Sequence, residues 1–235
     1  SDQMFLEPLL ERARCTSNYP SLFEDKAAVQ VAETCCTSER VKSFYPLSYL
    51  HAYEQSHYIA VARNFLKRNP KANIVEINCG LSTLYYQLDN KRARWIELDS
   101  PEVLKLRKDL GFDQDSRINQ VVWDSDNTEW TKRVLELCKA KNGFIFIAAI
   151  GEKVKELVCL IKATFANALV MLKCCGGKAG NRETGFHLFD LNAKSVFHSW
   201  FKNDPSVQVF DTAFPPKEAL EDIDRANRKK ISKLY

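Results

Sequence analysis

The chain has 235 residues, of which 45% are hydrophobic, 11% aromatic and 27% charged. This balance is typical of a globular protein that buries a full core without disulfides or metals. The formal net charge of +4 is too small to indicate a nucleic-acid partner. No apolar run approaches the length of a membrane span, and no secretory leader opens the sequence. We therefore expect no nucleic-acid and no membrane partner.

The eight cysteines show none of the C-x-x-C spacing that is typical of zinc and redox sites. Several of them lie within apolar runs, where a free thiol packs as a small hydrophobic group. These features predict a reduced, cytoplasmic protein that holds no metal.

Helical patterns come first along the chain. Apolar residues recur at helical spacing in Phe5–Arg14 and again in Tyr58–Leu66, where Asn69-Pro70 ends the helix. Between them, Ser21–Glu24 fits the spacing of a capping box and predicts a helix start. We predict that residues 1–70 form a helical cap segment over the ligand-binding end of the fold.

Strand and helix patterns alternate in the next hundred residues. Because the strand patterns are continuous apolar runs, both faces of the sheet should be covered. The sequence predicts a doubly wound, mostly parallel α/β sheet within residues 71–235, in one structural domain with the cap. The predicted strands are Ile74–Ile77, Trp95–Leu98, Ile118–Trp123, Phe144–Ile147 and Ala168–Leu172, and the predicted helices between them are Pro101–Leu110, Trp130–Ala140 and Glu152–Phe165.

The last sixty residues are less regular. Gly176–Gly185 is a basic, glycine-rich loop that is either a substrate lid or a plain connection. Val207–Phe210 is a candidate sixth strand. Pro216–Tyr235 has acids first and bases last, an order that matches the dipole of a single helix.

The strongest candidate functional residues lie between the first two predicted strands and at the end of the second. Gly80 and Asp99 lie 19 positions apart, close to the roughly 20 that separate a glycine loop from the acid that binds ribose hydroxyls. The loop has only one glycine, so it is a poor diphosphate cradle, and an NAD-dependent oxidoreductase is disfavoured. A nucleoside cofactor without phosphate, such as S-adenosylmethionine, fits. An ordinary βα turn without a ligand accounts for the loop equally well.

The sequence around Asp99 is more informative than the glycine loop. Ser100-Pro101-Glu102 reads as N-cap, first helical position and acidic first turn. Asp99 then stands at the carboxyl edge of the sheet, where α/β proteins bind ligands, and Glu97 shares its face. The alternative is that Asp99 is a second capping residue.

Two segments of the chain resemble a known family. They read VEINCGLST at residues 75–83 and WIELDSPEV at residues 95–103. The leucine carboxyl methyltransferase and polyketide O-methyltransferase family, a branch of the class I S-adenosylmethionine-dependent methyltransferases, carries approximately V-V-N-L-G-x-G-L-D-T-R and then W-x-E-V-D-x-P-E-V. The resemblance implies a Rossmann-like methyltransferase fold with S-adenosylmethionine as cofactor, in which Asp99 binds the ribose. It places the other cofactor contacts at Asn78, Cys79, Gly80, Asp124, Ser125 and Ala148.

The chain also departs from the family pattern. Asn78 replaces the first motif glycine, and Ala149 stands where the family carries an acid after the fourth strand. The family arginine that pairs with the cofactor carboxylate has no counterpart at residues 54–60, and Arg63 matches a surface position. Loss of such a partner should weaken cofactor binding by a few kcal/mol.

Two functions follow from the resemblance. The first is methyl transfer from S-adenosylmethionine to a carboxylate or hydroxyl oxygen of a small molecule or protein. A carboxylate acceptor needs no base, whereas a phenol does. His187 is the one histidine placed plausibly for that role, and we assign no catalytic residue. The second is a binding or scaffold protein on a decayed methyltransferase fold. The sequence leaves the acceptor and the oligomeric state open.

Overall fold

The computed structural model describes residues 2–35, 48–112, 115–124, 126–138, 142–150, 153–165 and 168–174. These residues fall into two compact units. One is built from residues up to Leu9 and from Tyr58–Lys173, and the other from Leu10–His57 with Cys174. Within the described parts of the chain, no helix is long and apolar enough to cross a membrane. Ser125, His187, Gly176–Gly185, Val207–Phe210 and Pro216–Tyr235, which carried predictions, lie outside the described residues.

Among the described residues, three helices precede the first strand, and helices then alternate with strands. The predicted doubly wound α/β fold is thereby confirmed. In chain order the elements are α1 (Asp2–Asn18), α2 (Lys26–Cys35), α3 (Ser48–Arg68), β1 (Asn73–Ile77), α4 (Leu84–Leu88), β2 (Arg94–Asp99), α5 (Pro101–Asp109), β3 (Ile118–Val122), α6 (Glu129–Leu137), β4 (Phe144–Ile150), α7 (Val154–Thr164) and β5 (Ala168–Cys174).

The five strands of the described residues form one sheet in the order β3-β2-β1-β4-β5. β1 pairs in parallel with β2 and β4, and β2 pairs in parallel with β3. The chain moves outward from β1 to β3 and then crosses back to β4 on the other side of β1. This reversal creates a switch point, and α/β proteins bind ligands beside such points, at the carboxyl ends of the strands.

The two faces of the sheet differ in chemistry. On one face, β-strand residues pack with α6 and α7 into a single apolar cluster that includes Ile96, Phe146, Val134 and Phe165. The opposite face carries acids: Glu76 lies beside Glu97 in the register, and Asp99 is two residues further along β2. All three acids are at least 95% buried. Buried carboxylates require hydrogen-bonding or charged partners, so this face is where polar structure concentrates.

The unit built from Leu10–His57 has its own buried charge. Asp25 is fully buried, and its Oδ2 accepts hydrogen bonds from Arg12 Nε at 2.9 Å and Nη2 at 2.6 Å. Asp25 Oδ1 accepts the Ala28 N–H at 2.9 Å and so caps α2. The capping box predicted at Ser21–Glu24 was therefore wrong, because α2 begins at Lys26 with Asp25 as its cap. The prediction that residues 1–70 cover the ligand-binding end stays a prediction.

Candidate functional site

The loop that follows β1 has a tightly defined backbone. Asn78 has φ = 56° and Gly80 has φ = 52°, both in the left-handed region. Glycine adopts this conformation freely, and asparagine is among the residues that tolerate it best. Asn78 is therefore compatible with this turn. A Cβ at Gly80 would meet nothing within 4 Å, so its backbone conformation, not crowding, favours glycine there.

Asp99 lies against this loop, as the spacing of 19 residues predicted. Its Oδ2 accepts the Gly80 N–H at 2.7 Å, and its Oδ1 accepts the Ser100 N–H at 2.7 Å. Ser100 itself caps α5, since its Oγ accepts the Val103 N–H. A carboxylate has about four lone-pair sites, so these two backbone bonds leave two sites, and the Cys79 side chain donates to this carboxylate as well. The residue is 5% exposed.

Burial controls the protonation of this carboxyl group. It raises the pKa of Asp99 above its usual range, and it outweighs the backbone N–H groups of Gly80 and Ser100 and the charge of Arg107, which act in the opposite direction. Cys79 adds a side-chain hydrogen bond to Asp99. Burial also raises the pKa of the Cys79 thiol, so this group stays protonated and acts as a donor.

The N–H groups of the loop are largely used inside the protein. Cys79 N–H donates to Leu98 O, and Gly80 N–H to Asp99. Ser82 N–H donates to Cys79 O, and Leu84 N–H to Ser82 Oγ. A diphosphate site needs such N–H groups to point at the phosphate oxygens. This loop is therefore poorly suited to a dinucleotide, in agreement with its single glycine.

Arg107 is a residue of the site that the sequence reasoning missed. It lies on the buried face of α5 with Val103 and Leu104, is 1% exposed, and forms a buried ion pair with Glu97. The sequence does contain a pattern that could have identified Arg107. An arginine at helical spacing from apolar residues must find a buried acceptor, and Glu97 on the adjacent strand was already predicted to face the site.

The remaining predicted residues have different surroundings. Trp123 N–H donates to Asp99 O at 2.9 Å, which places the end of β3 beside the site. The next residue, Asp124, is exposed, and its carboxylate accepts the Asp126 N–H and the Asn127 side-chain amide. Ala148 pairs with Ile77 and belongs to the apolar cluster on the other face of the sheet. Asn78, Cys79, Gly80 and Asp99 are thus brought together, and the side chain of Ala148 is not among them.

The position of Arg63 agrees with its expected surface role. Its Nη2 donates to Gln87 O at 3.1 Å, and the residue is exposed. It is therefore engaged with α4 rather than with the loop that follows β1.

Comparison with known proteins adds little to this geometry. No family model matches the chain. No curated protein matches it in sequence. Among solved structures, it is similar to a candidate methyltransferase from Thermobifida fusca YX, with a TM-score of 0.48 and 12% identity, over 89% of this chain and 90% of that one. Identity at this level is too low to transfer a function.

Proposed function

We propose that the chain is an S-adenosylmethionine-dependent methyltransferase that transfers a methyl group to a carboxylate or hydroxyl oxygen. The observation that carries the proposal is the contact between Asp99 and Gly80, at the carboxyl ends of two adjacent parallel strands beside the switch point. The resemblance of residues 75–83 and 95–103 to the methyltransferase family supports it.

The residues present fit a nucleoside better than a nucleotide. Asp99 offers carboxylate lone pairs of the kind that accept the two ribose hydroxyls, and its neighbours hold it in one orientation. Most of the loop N–H groups are already bonded within the protein, which removes the donors that a diphosphate requires. Asn78 and Cys79 complete the loop next to which the amino-acid end of the cofactor would lie.

When bound, S-adenosylmethionine supplies a methyl group already activated on a sulfonium, so the protein has little covalent chemistry to perform. Its tasks are to fix the nucleoside, to align the acceptor oxygen and to exclude water. Asp99 performs the first by holding the sugar. A carboxylate acceptor is ionised at neutral pH and needs no general base.

A second function, a binding or scaffold protein on the same fold, is favoured by one observation. Asp99 is 5% exposed, and each of its oxygens already accepts a backbone N–H. A loop that satisfies its own acid in this way is also what a site without a cofactor needs, because buried carboxylates must be hydrogen-bonded.

A thermal melt with ligand separates the two functions. S-adenosylmethionine or S-adenosylhomocysteine at about 100 times its dissociation constant should stabilise the protein by roughly 2.7 kcal/mol, whereas NAD should not. A melting temperature that stays unchanged with both adenosyl ligands would favour the scaffold.

The affinity for a nucleoside should also fall on acidification. If ribose hydroxyls donate to the Asp99 carboxylate, only its ionised form binds them well. Because burial raises the pKa of Asp99, affinity should begin to fall at a higher pH than the usual aspartate value of about 3.9 predicts. Below the raised pKa it should fall about tenfold per pH unit.

Calorimetric titration with 5′-methylthioadenosine, which lacks the titrating amino-acid group, measures this effect from pH 8 downward. An affinity that is constant across the whole range, or that rises as the pH falls, would exclude an ionised Asp99 from the binding site.

A further inference from the structure

Arg107 contacts both β2 and the loop that follows β1. Its Nε donates to Glu97 Oε2 at 3.1 Å, and its Nη2 donates to Glu97 Oε1 at 2.5 Å. Its Nη1 donates to two loop carbonyls, Gly80 O at 2.9 Å and Ser82 O at 3.0 Å. One planar guanidinium therefore joins a buried carboxylate to two loop peptides.

The position of this guanidinium is fixed from several sides. Arg107 is 1% exposed, and its Cζ lies 4.8 Å from the centre of the Phe112 ring. Because the guanidinium is planar, Nε and Nη2 face Glu97 while Nη1 points toward the loop. A lysine cannot reproduce this arrangement, because a single ammonium on a flexible stem lacks the planar fork.

The contacts converge on one residue of the loop. The Gly80 carbonyl accepts from Arg107, and the Gly80 N–H donates to Asp99. Both polar groups of Gly80 are thereby held, in a left-handed conformation that a free chain samples only part of the time. The orientation of the Asp99 carboxylate depends in turn on the Gly80 N–H.

We propose that Arg107 is the positioning residue of the site: through Gly80 it holds the loop in the conformation that orients Asp99 for a nucleoside. This role in binding rests on the proposed function, whereas the hold on the loop does not. Arg107 is buried beneath the loop, so its effect passes through the Gly80 peptide. The competing explanation is that Arg107 serves only as the counter-ion of Glu97.

Three variants distinguish these explanations. Arg107→Lys keeps a positive charge for Glu97 and loses the fork that reaches the loop. Glu97→Gln removes the charge pair but retains Arg107 and an acceptor for it. Arg117→Lys is the matched control, since the Arg117 side chain is also bonded to carboxylates, and its partners Asp89, Asp115 and Tyr85 all lie outside the loop.

The first readout is hydrogen exchange of the Gly80 amide in protein without ligand, measured against the amides of β1. We expect Arg107→Lys to accelerate Gly80 exchange by at least about tenfold relative to β1, a factor that corresponds to the loss of one hydrogen bond to a charged group. Glu97→Gln and Arg117→Lys should leave this ratio unchanged. An unchanged ratio in Arg107→Lys overturns the proposal. If Arg107→Lys does not fold, the exchange of the Gly80 amide in Glu97→Gln becomes the test. Faster Gly80 exchange relative to β1 in Glu97→Gln would overturn the proposal.

The second readout is the affinity for S-adenosylhomocysteine. Arg107→Lys should bind it about tenfold more weakly than the wild type, and Arg117→Lys should bind it equally well. If the wild type binds and Arg107→Lys binds as tightly, the positioning role fails while the proposed function stands. If the wild type does not bind but Gly80 exchange responds to Arg107→Lys, the proposed function fails and the hold on the loop stands.

Discussion

The Asp99→Ala variant should lose most of the thermal stabilisation that an adenosyl ligand confers. In the proposed complex Asp99 would accept two charge-assisted hydrogen bonds from the ribose, and we expect their loss to cost about 100-fold in Kd, or roughly 3 kcal/mol. At a ligand concentration of about 100 times the wild-type Kd, stabilisation should fall from roughly 2.7 to about 0.4 kcal/mol. The measurement is a melt of each protein with and without S-adenosylhomocysteine, each compared with its own ligand-free state.

Asp109→Ala is the matched control for this experiment. Asp109 lies at the end of α5, is exposed, and pairs with Lys105 on the same helix. Its removal should cost little stability and should leave the ligand shift intact. Asp99→Asn keeps one oxygen acceptor, so its stabilisation by S-adenosylhomocysteine should be intermediate between those of the wild type and Asp99→Ala. If Asp99→Ala retains the full shift, the ribose does not bind at this carboxylate.

The largest loss of stability in the Leu10–His57 unit is expected from Asp25→Ala. Asp25 is the buried counter-ion of Arg12 and the cap of α2, and its own N–H donates to Thr16 Oγ1 at 2.8 Å. Removing one partner of a buried pair typically costs about 3–5 kcal/mol, because the other charge stays buried without compensation. Urea unfolding followed by helical circular dichroism measures the change.

Two further variants test the cause of this loss. Asp25→Asn keeps an oxygen for the Ala28 N–H but not the charge for Arg12, so it should retain the cap and still lose most of the ion-pair contribution. Glu24→Ala removes one member of the exposed Lys26–Glu24 pair and should change stability by less than about 0.5 kcal/mol. A cost below about 1 kcal/mol for Asp25→Ala would show that the pair contributes little to stability.

The sheet could be predicted from the sequence because its signal is local. The predicted strands at residues 144–147 and 168–172 are continuous apolar runs, those at 74–77 and 95–98 are interrupted by one acid each, and the residues of β1 are all buried. Helix limits were less predictable. The first helix extends over Asp2–Asn18 rather than Phe5–Arg14, and α3 already begins at Ser48, well before the periodic stretch at Tyr58–Leu66. Such helix ends depend on tertiary packing, which a periodic pattern does not record.

Only the part of the site that follows from the spacing of residues along the chain could be predicted. The separation of 19 positions between Gly80 and Asp99 correctly indicated that the two residues meet. In the structure the Gly80 nitrogen lies 2.7 Å from Asp99 Oδ2. The contacts of Arg107 were not predictable in the same way, because they join residues 10 to 27 positions away across three elements. Asp25 was missed for a similar reason, since its partner Arg12 lies 13 positions earlier on another helix.

The most direct test of the account is a crystal structure of the protein with S-adenosylhomocysteine. We predict that both ribose hydroxyls lie within about 3.2 Å of the Asp99 carboxylate, with Gly80 still bonded to the same side chain. A nucleoside bound elsewhere, a ribose held by another acid, or side chains that fill the space above Gly80 and Asp99 would contradict the account.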